Sequence, residues 1–533
     1  MPLPPPAPDL PEGPLSGGRA DRTGRAAGQP GFGIGPGAPW RSALAFVAGV
    51  ALLWVLVPAL TQTVPHADNV EQLGWAHAPA WGYVKHPPLP TWLLAGAEQF
   101  LEPTATLTYA LAMACVAGAL LLLWHAARPL LGEAGAWAVL LLSSANYYLM
   151  GRGSFLNHNT VMLPWIAASA WAVMRLGRGA STLSWILLGL AQGLGLLTKY
   201  QMAIVIAANF AALLALGVHR RPGFLRGMVL ATAATLLPLL PHLAWLQAHQ
   251  FSSFGYAGHN LLADLPWVAR PGKALAFLAQ QIGRLAPALL IFAALAWSAR
   301  RQLRPQALAH GDPHADAKRP AQGQALRAVA WLALLPIALI LGLVLFAGVA
   351  PQNHWGDAAT LLLPLLALVR WPAVAASPQR VLMLTLAVHA LAAGWSVVAA
   401  RTDGAFHHRF PATALAAQAQ ALWTARAGGA VPLVAGADWE AGSIALALPG
   451  HPASLPGGDP RQLPGFDANG LAACGTLLVW RLELPAADQL GAVLAAKVVE
   501  PQELTAPDPR GRPYSLMAAV VPPRGICPLR PLR

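Results

Sequence analysis

Two carboxylates, Asp68 and Glu71, stand three residues apart in a chain poor in acid, with 22 Asp and Glu against 35 Lys and Arg. A helix over that stretch puts both on one face. Two close carboxylates titrate as a pair, and one of them can act as a general base. Lys85 and His86 follow, and then Pro87 and Pro88. Consecutive prolines exclude a helix at that point and fix an extended corner, which holds a cation and an imidazole stiffly near the acids. The plain alternative is a solvated loop whose Trp and Tyr residues, such as Trp75, Trp81 and Tyr83, anchor it at a membrane surface.

Other polar groups interrupt apolar sequence in the same manner. They are Asn157-His158-Asn159 after Arg152, Lys199-Tyr200, Tyr256 with His259 and Asn260, Arg270 with Lys273, and His354-Trp355 before Asp357. Ionisable groups at membrane depth are costly and usually face a cavity or a partner. No acid is buried within an apolar run, which argues against a proton path across a membrane.

The elements that must position these groups are membrane spans. The chain of 533 residues is 56% hydrophobic and 11% charged, where soluble domains run to about 45–50% and about 25%. That excludes a conventional cytosolic enzyme and a disordered scaffold. Three cysteines exclude a disulfide framework and a zinc-cluster protein. The net charge of +13 would suit a nucleic-acid binder, but the cations lie in short loops and form no basic face, so no nucleic-acid partner is expected.

A span needs about 20 apolar residues. Candidate spans are 42–62, 105–124, 134–150, 160–175, 183–198, 200–218, 227–247, 275–298, 328–349, 357–370 and 381–399, with an interfacial or re-entrant helix over 89–101. With the Arg-rich segment 1–38 placed in the cytoplasm as a disordered tail, alternate loops carry Arg128, Arg175 and Arg178, Arg220 and Arg221, Arg300 to Arg327, and Arg370 and Arg380. The opposite loops carry fewer cations, among them Lys85, Arg152, Lys199, Arg270 and Arg284. The positive-inside rule then puts the catalytic-type loop 63–104 and the segment 401–533 outside. The expected architecture is an all-α polytopic domain over 39–400, with about eleven spans, and a small extracytoplasmic α/β domain over 401–533. In that last segment, strands are expected at 431–435, 476–480 and 516–521 and a helix at 412–427. Cys474 and Cys527 form a disulfide there or stay as two thiols.

A resemblance enters with the motifs taken in order. Asp68-Asn-Val-Glu71, the following His86-Pro-Pro-Leu, the Gly-rich run from Trp185 to Lys199-Tyr200, and His354-Trp355 resemble the glycosyltransferase family 39 type. This is the GT-C group of protein O-mannosyltransferases and lipid A aminoarabinose transferases. The likeness covers about residues 42–400 and is looser beyond. It implies a membrane enzyme that moves a sugar from a polyprenyl-phosphate carrier to an extracytoplasmic acceptor, with membrane lipids around it. It also implies that the first acid of the loop, Asp68, is catalytic. Two departures stand out. Asn69 replaces the usual second acid, whose role Glu71 either takes over or does not. Asn157-His158-Asn159 occupies the place where the second outer loop often has an acid.

The implied chemistry assigns Asp68 as base with Glu71 in support. Lys85, His86, Lys199, Arg270 and His354 are candidates for the donor phosphate, since cations aimed at a leaving oxygen lower its barrier. Tyr83, Asn157, His158, Asn159, Tyr200, His259 and Trp355 are candidates for holding substrate. The histidines lack the close spacing of a zinc site, so no cofactor is required; a divalent ion at Asp68 and Glu71 is the remaining alternative. The rival reading of the whole chain is a lipid or polysaccharide flippase, which should show polar groups inside its spans and a repeat between halves. Neither is visible.

Overall fold

A computed structural model describes residues 39–261, 265–303, 315–402, 404–464, 466, 468–527 and 529; the side chain of His259 lies outside this description, as do residues 1–38, Asp264 and residues 304–314. The chain opens with α1 (Pro39–Thr61), α2 (Ala67–Ala76), α3 (Leu89–Ala97), α4 (Ala105–Ser144), α5 (Tyr147–Met150), α6 (His158–Arg178), α7 (Thr182–Thr198), α8 (Met202–Ala215) and α9 (Phe224–Ala248). It continues with α10 (Ser252–Leu261), α11 (Arg270–Leu303), α12 (Ala315–Ala347), α13 (Asp357–Thr360), α14 (Leu363–Arg370) and α15 (Pro378–Thr402).

Among the described residues, seven helices are long and apolar enough to cross a membrane, and α7 and α8 are shorter apolar helices. The expected runs at 105–124 and 134–150 are two helical segments that meet within α4 at Gly132, whose φ of +67° breaks the helix there, a conformation that glycine adopts without a Cβ penalty. The run at 357–370 divides into α13 and α14, too short to span. The interfacial helix expected at 89–101 is α3. Packing runs α1–α4–α6–α7–α9, with α8 against α12 and α15 against α1 and α4. Leu237, Leu290 and Leu391 point outwards, as suits helices surrounded by lipid.

The C-terminal segment adds α16 (Phe406–Arg409), α17 (Ala412–Arg426), β1 (Leu433–Gly436), α18 (Asp438–Ala447), β2 (Ala453–Pro456), α19 (Ala468–Cys474), β3 (Thr476–Trp480), α20 (Ala486–Ala495), β4 (Gln502–Pro507) and β5 (Pro513–Val521). The sheet order is β2-β1-β3-β5-β4. β1 pairs in parallel with β2 and β3, and β5 runs antiparallel to β3 and β4. Strand alternation feeds two cores. Val434, Leu477 and Val479 pack on Leu415, Trp423 and Ile444, while Leu433, Leu478 and Trp480 pack on Leu490 and Leu494. A disulfide joins Cys474 to Cys527, which decides between the two thiol states.

This C-terminal domain sits directly on α2. The Trp439 indole donates to the Pro65 carbonyl at 2.8 Å, and the His77 ring meets the His451 carbonyl at 2.7 Å. Gly442 of α18 lies so close to Val70 that an added Cβ would come within 2.0 Å of its Cγ1.

Candidate active site

The short helix α2 carries both acids, and its start is fixed by His66, whose side chain caps it by accepting from the Asp68 N–H. Asp68 and Glu71 face a cavity of about 710 Å³. Asn69, one residue round the helix, turns away. It is fully buried, and its amide donates to Thr108 Oγ1 at 2.7 Å and to the Ser154 carbonyl at 3.2 Å. A carboxylate there would have no hydrogen to give the Ser154 carbonyl, which is a physical reason for an amide at this position.

Each acid has its own partner. The Asn157 amide donates to Asp68 Oδ2 at 2.7 Å. The Asn157 Oδ1 atom is occupied elsewhere, because it caps α6 by accepting from the N–H groups of Asn159 and Thr160. The cap therefore turns the amide nitrogen towards Asp68. Lys85 donates to Glu71 Oε1 at 2.6 Å. Burial alone would lower the Lys85 pKa, but the Glu71 carboxylate outweighs it and holds the ammonium above its usual value. The corner before the prolines is closed by reciprocal backbone bonds between Tyr83 and His86.

The opposite wall comes from three further loops. Lys199, the residue that ends α7, donates to Asn159 Oδ1 at 2.5 Å. Burial pushes its pKa down to about 8, against the opposing pull of Asp357 and Asp68. The His86 and His158 rings lie 4.1 Å apart. Burial, and then the charges of His158 and Lys199, hold His86 well below the ordinary histidine value. His354 is pushed down to about 2 by burial and then by Lys199 and Arg284, so both rings are neutral and neither supplies a cation. Tyr200 stacks on Phe254 with centroids 4.7 Å apart and bonds to His242 at 3.0 Å. Gln201 donates to the Trp355 carbonyl at 2.6 Å.

Eleven of the fourteen residues singled out from sequence line this one cavity: Asp68, Glu71, Lys85, His86, Asn157, His158, Asn159, Lys199, Tyr200, His354 and Trp355. Tyr83 stands behind the wall, stacked on Trp75 at 4.7 Å. Arg270 is elsewhere: its guanidinium donates to the carbonyls of Leu265, Leu345 and Phe346 and lies 3.8 Å over the Trp267 ring. It caps the end of α12 instead of facing the acids. Arg284 is no surface residue either, being buried in an ion pair with Asp357. Sequence reasoning passed over Arg152 and His66, which also line the cavity. Arg152 gave a signal, as a cation just before the polar Asn-His-Asn run; His66 gave only its place two residues before Asp68. Among the described residues, no group of three His, Cys, Asp or Glu side chains is placed to hold a metal ion.

Residues 85–245 match the family described as dolichyl-phosphate-mannose-protein mannosyltransferase. The chain is 26% identical over 460 residues to the lipopolysaccharide core galacturonosyltransferase RgtA of Rhizobium johnstonii, covering 81% of this chain and 85% of that protein. It is 25% identical over 274 residues to the lipid A galacturonosyltransferase RgtD of the same organism, covering 50% of this chain and 55% of that one. The fold is similar to that of ArnT from Cupriavidus metallidurans bound to undecaprenyl phosphate, with TM-score 0.58, 13% identity, and coverage of 90% of this chain and 98% of ArnT. The chain is a membrane glycosyltransferase of the GT-C fold. In this glycosyltransferase the cavity holds two carboxylates, Asp68 and Glu71, against three cations, Lys85, Arg152 and Lys199.

Proposed function

We propose that this enzyme transfers a hexuronosyl group from a polyprenyl-phosphate carrier to a hydroxyl of lipid A or of the adjoining core oligosaccharide, outside the cytoplasmic membrane. The observation that carries this reading is the pairing of Asp68, which among the described residues has no Lys or Arg within hydrogen-bond distance, with Lys199 and Arg152 in one cavity. Both relatives are named for galacturonosyl transfer to such acceptors, and the structural neighbour binds undecaprenyl phosphate.

The acceptor oxygen attacks the anomeric carbon while the bond from that carbon to the phosphate oxygen breaks. The acceptor proton passes to Asp68, and polyprenyl phosphate leaves with one more negative charge than the donor carried. Lys199 and Arg152 meet that charge, because charge-assisted hydrogen bonds strengthen as it grows. Lys85 is already paired with Glu71, so its first role is to hold Glu71 and the Pro-Pro corner in place. Of the outer-loop cations weighed from sequence, Lys199 takes the phosphate role ahead of Lys85.

The test is transfer from polyprenyl-phosphate-linked galacturonic acid to lipid A by purified enzyme in nanodiscs, with the product followed by mass spectrometry. Asp68→Asn keeps the shape and the Asn157 contact but accepts no proton, so transfer should fall about 10²–10⁴-fold with thermal stability retained. Near-full activity in that variant sinks the assignment of the base. A wild-type enzyme that moves no sugar from this donor sinks the reaction.

A further inference from the structure

The segment that leads into α2 is gripped from two sides. His407 offers its carbonyl to the Thr63 N–H at 2.8 Å. The Trp439 indole donates to the Pro65 carbonyl and packs on Phe406 with centroids 4.5 Å apart. His66 stands between the two domains. One face of its ring stacks on Phe155 of the membrane domain at 4.0 Å and 12°, and Trp439 of the outer domain lies 5.3 Å from it. Its Nδ1 atom accepts from the Asp68 N–H at 3.4 Å and stands 4.0 Å from Asp68 Oδ2.

We propose that His66 is a positioning residue for the catalytic acid, and that the outer domain sets the aim of Asp68 through Trp439 and His66. The argument is geometric. A ring wedged between two aromatic groups has little freedom, and its nitrogen satisfies one of the free N–H groups at the start of α2. The first turn of a ten-residue helix would otherwise fray, and Asp68 lies in that turn. Burial lowers the His66 pKa ahead of any attraction from Asp68, which leaves the ring neutral and its Nδ1 lone pair free to accept. In-line attack tolerates little misplacement of the base, so the outer domain acts on the rate through the aim of Asp68. The inference rests on the reading of Asp68 as base.

The experiment compares His66→Ala, His66→Asn, Trp439→Ala and Trp439→Phe, and the double variant His66→Ala/Trp439→Ala, in full-length enzyme in nanodiscs. Two readouts are taken: amide hydrogen exchange over residues 66–76, and kcat and donor KM for transfer. His66→Ala should speed exchange at the start of α2 by about fivefold or more. It should lower kcat by about tenfold to a hundredfold with donor KM held within about twofold. Asn caps helices well, so His66→Asn should recover most of both losses. Trp439→Ala should reproduce the loss, and the double variant should be no worse than the poorer single. Trp439→Phe keeps the ring and removes the bond to Pro65, so it serves if Trp439→Ala does not fold.

Unchanged exchange and kcat in His66→Ala would overturn the proposal. So would a His66→Asn enzyme with protected amides and no activity, because the imidazole would then act chemically. Additive losses in the double variant would break the link through Trp439. If wild-type enzyme moves no sugar but the exchange pattern is as described, the reaction assignment fails and the His66 contact to α2 stands.

Discussion

Asn157 does two jobs with one amide, and the two can be separated by substitution. Asn157→Asp keeps the α6 cap but sets a second carboxylate at the 2.7 Å contact with Asp68, where two acids cannot both ionise cheaply. Asn157→Ser keeps the cap and brings no charge. The expected order of transfer rates at neutral pH is wild type, then Asn157→Ser, then Asn157→Asp, with melting temperatures close together. An Asp variant as active as the Ser variant would detach Asn157 from the site. Lys199 gives a pH signature. Its folded pKa is lowered by burial to about 8, so its charge is present below that pH and is lost as pH rises through it. Donor kcat/KM should therefore fall above about pH 8, and Lys199→Arg, charged throughout, should flatten that limb. At this scale the sequence was readable where partners are close along the chain. Asp68 and Glu71 share a helix face, and the prolines hold Lys85 beside them. It set Arg270 among the phosphate candidates and gave Arg284 no role, because their places as a carbonyl cap and a buried ion-pair partner depend on residues 73 to 76 positions away.

The contacts of α2 with α18 and β2 show why two glycines matter here. A Cβ on Gly442 would meet Val70 Cγ1 at 2.0 Å, and one on Gly74 would meet Ser454 Oγ at 2.6 Å. Val70 is β-branched and stiff at χ1, so it cannot swing aside, whereas a serine hydroxyl can. Gly442→Ala should cost roughly 1–3 kcal/mol and lower transfer by displacing α2, and Gly74→Ala should do less. Thermal unfolding beside initial rates checks the order. Elements were legible in proportion to their apolar length. α1, α9 and α15 were marked by hydropathy alone, and β1, β3 and β5 by runs of buried aliphatic residues. β2 was missed because its Ala453–Pro456 run holds no β-branched or aromatic residue and ends on proline, and β4 because it alternates exposed and buried positions at the sheet edge. The break of α4 at Gly132 lies between the two apolar runs, where Arg128 and Glu133 interrupt the hydropathy.

For the whole molecule, the positive-inside rule assigns the loops rich in arginine and the cavity loops to opposite faces of the membrane. The proposed orientation puts the N-terminus in the cytoplasm and the outer domain outside. The Cys474–Cys527 disulfide agrees with that placement, since such bonds persist in oxidising compartments. A reporter that works only outside the cytoplasm should be active when fused after residue 405 and inactive within 305–325; the reverse pattern would turn every cavity loop to the wrong face. The two shortest apolar helices carry a further consequence. α7 has 17 residues and α8 has 14, about 25 Å and about 21 Å at the helical rise, against about 30 Å of hydrocarbon. Leu183, Leu190, Phe210 and Leu214 on these helices face outwards, so lipid must meet this shortfall directly. Hydrophobic mismatch of that size thins the adjacent leaflets. Lys199 sits at the junction of the two helices, so a bilayer thinned there would dip beside the cation. A carrier lipid drifting along the perimeter would then find its headgroup lowered towards the level of Lys199, and the thin sector of the annulus would serve as its side entrance.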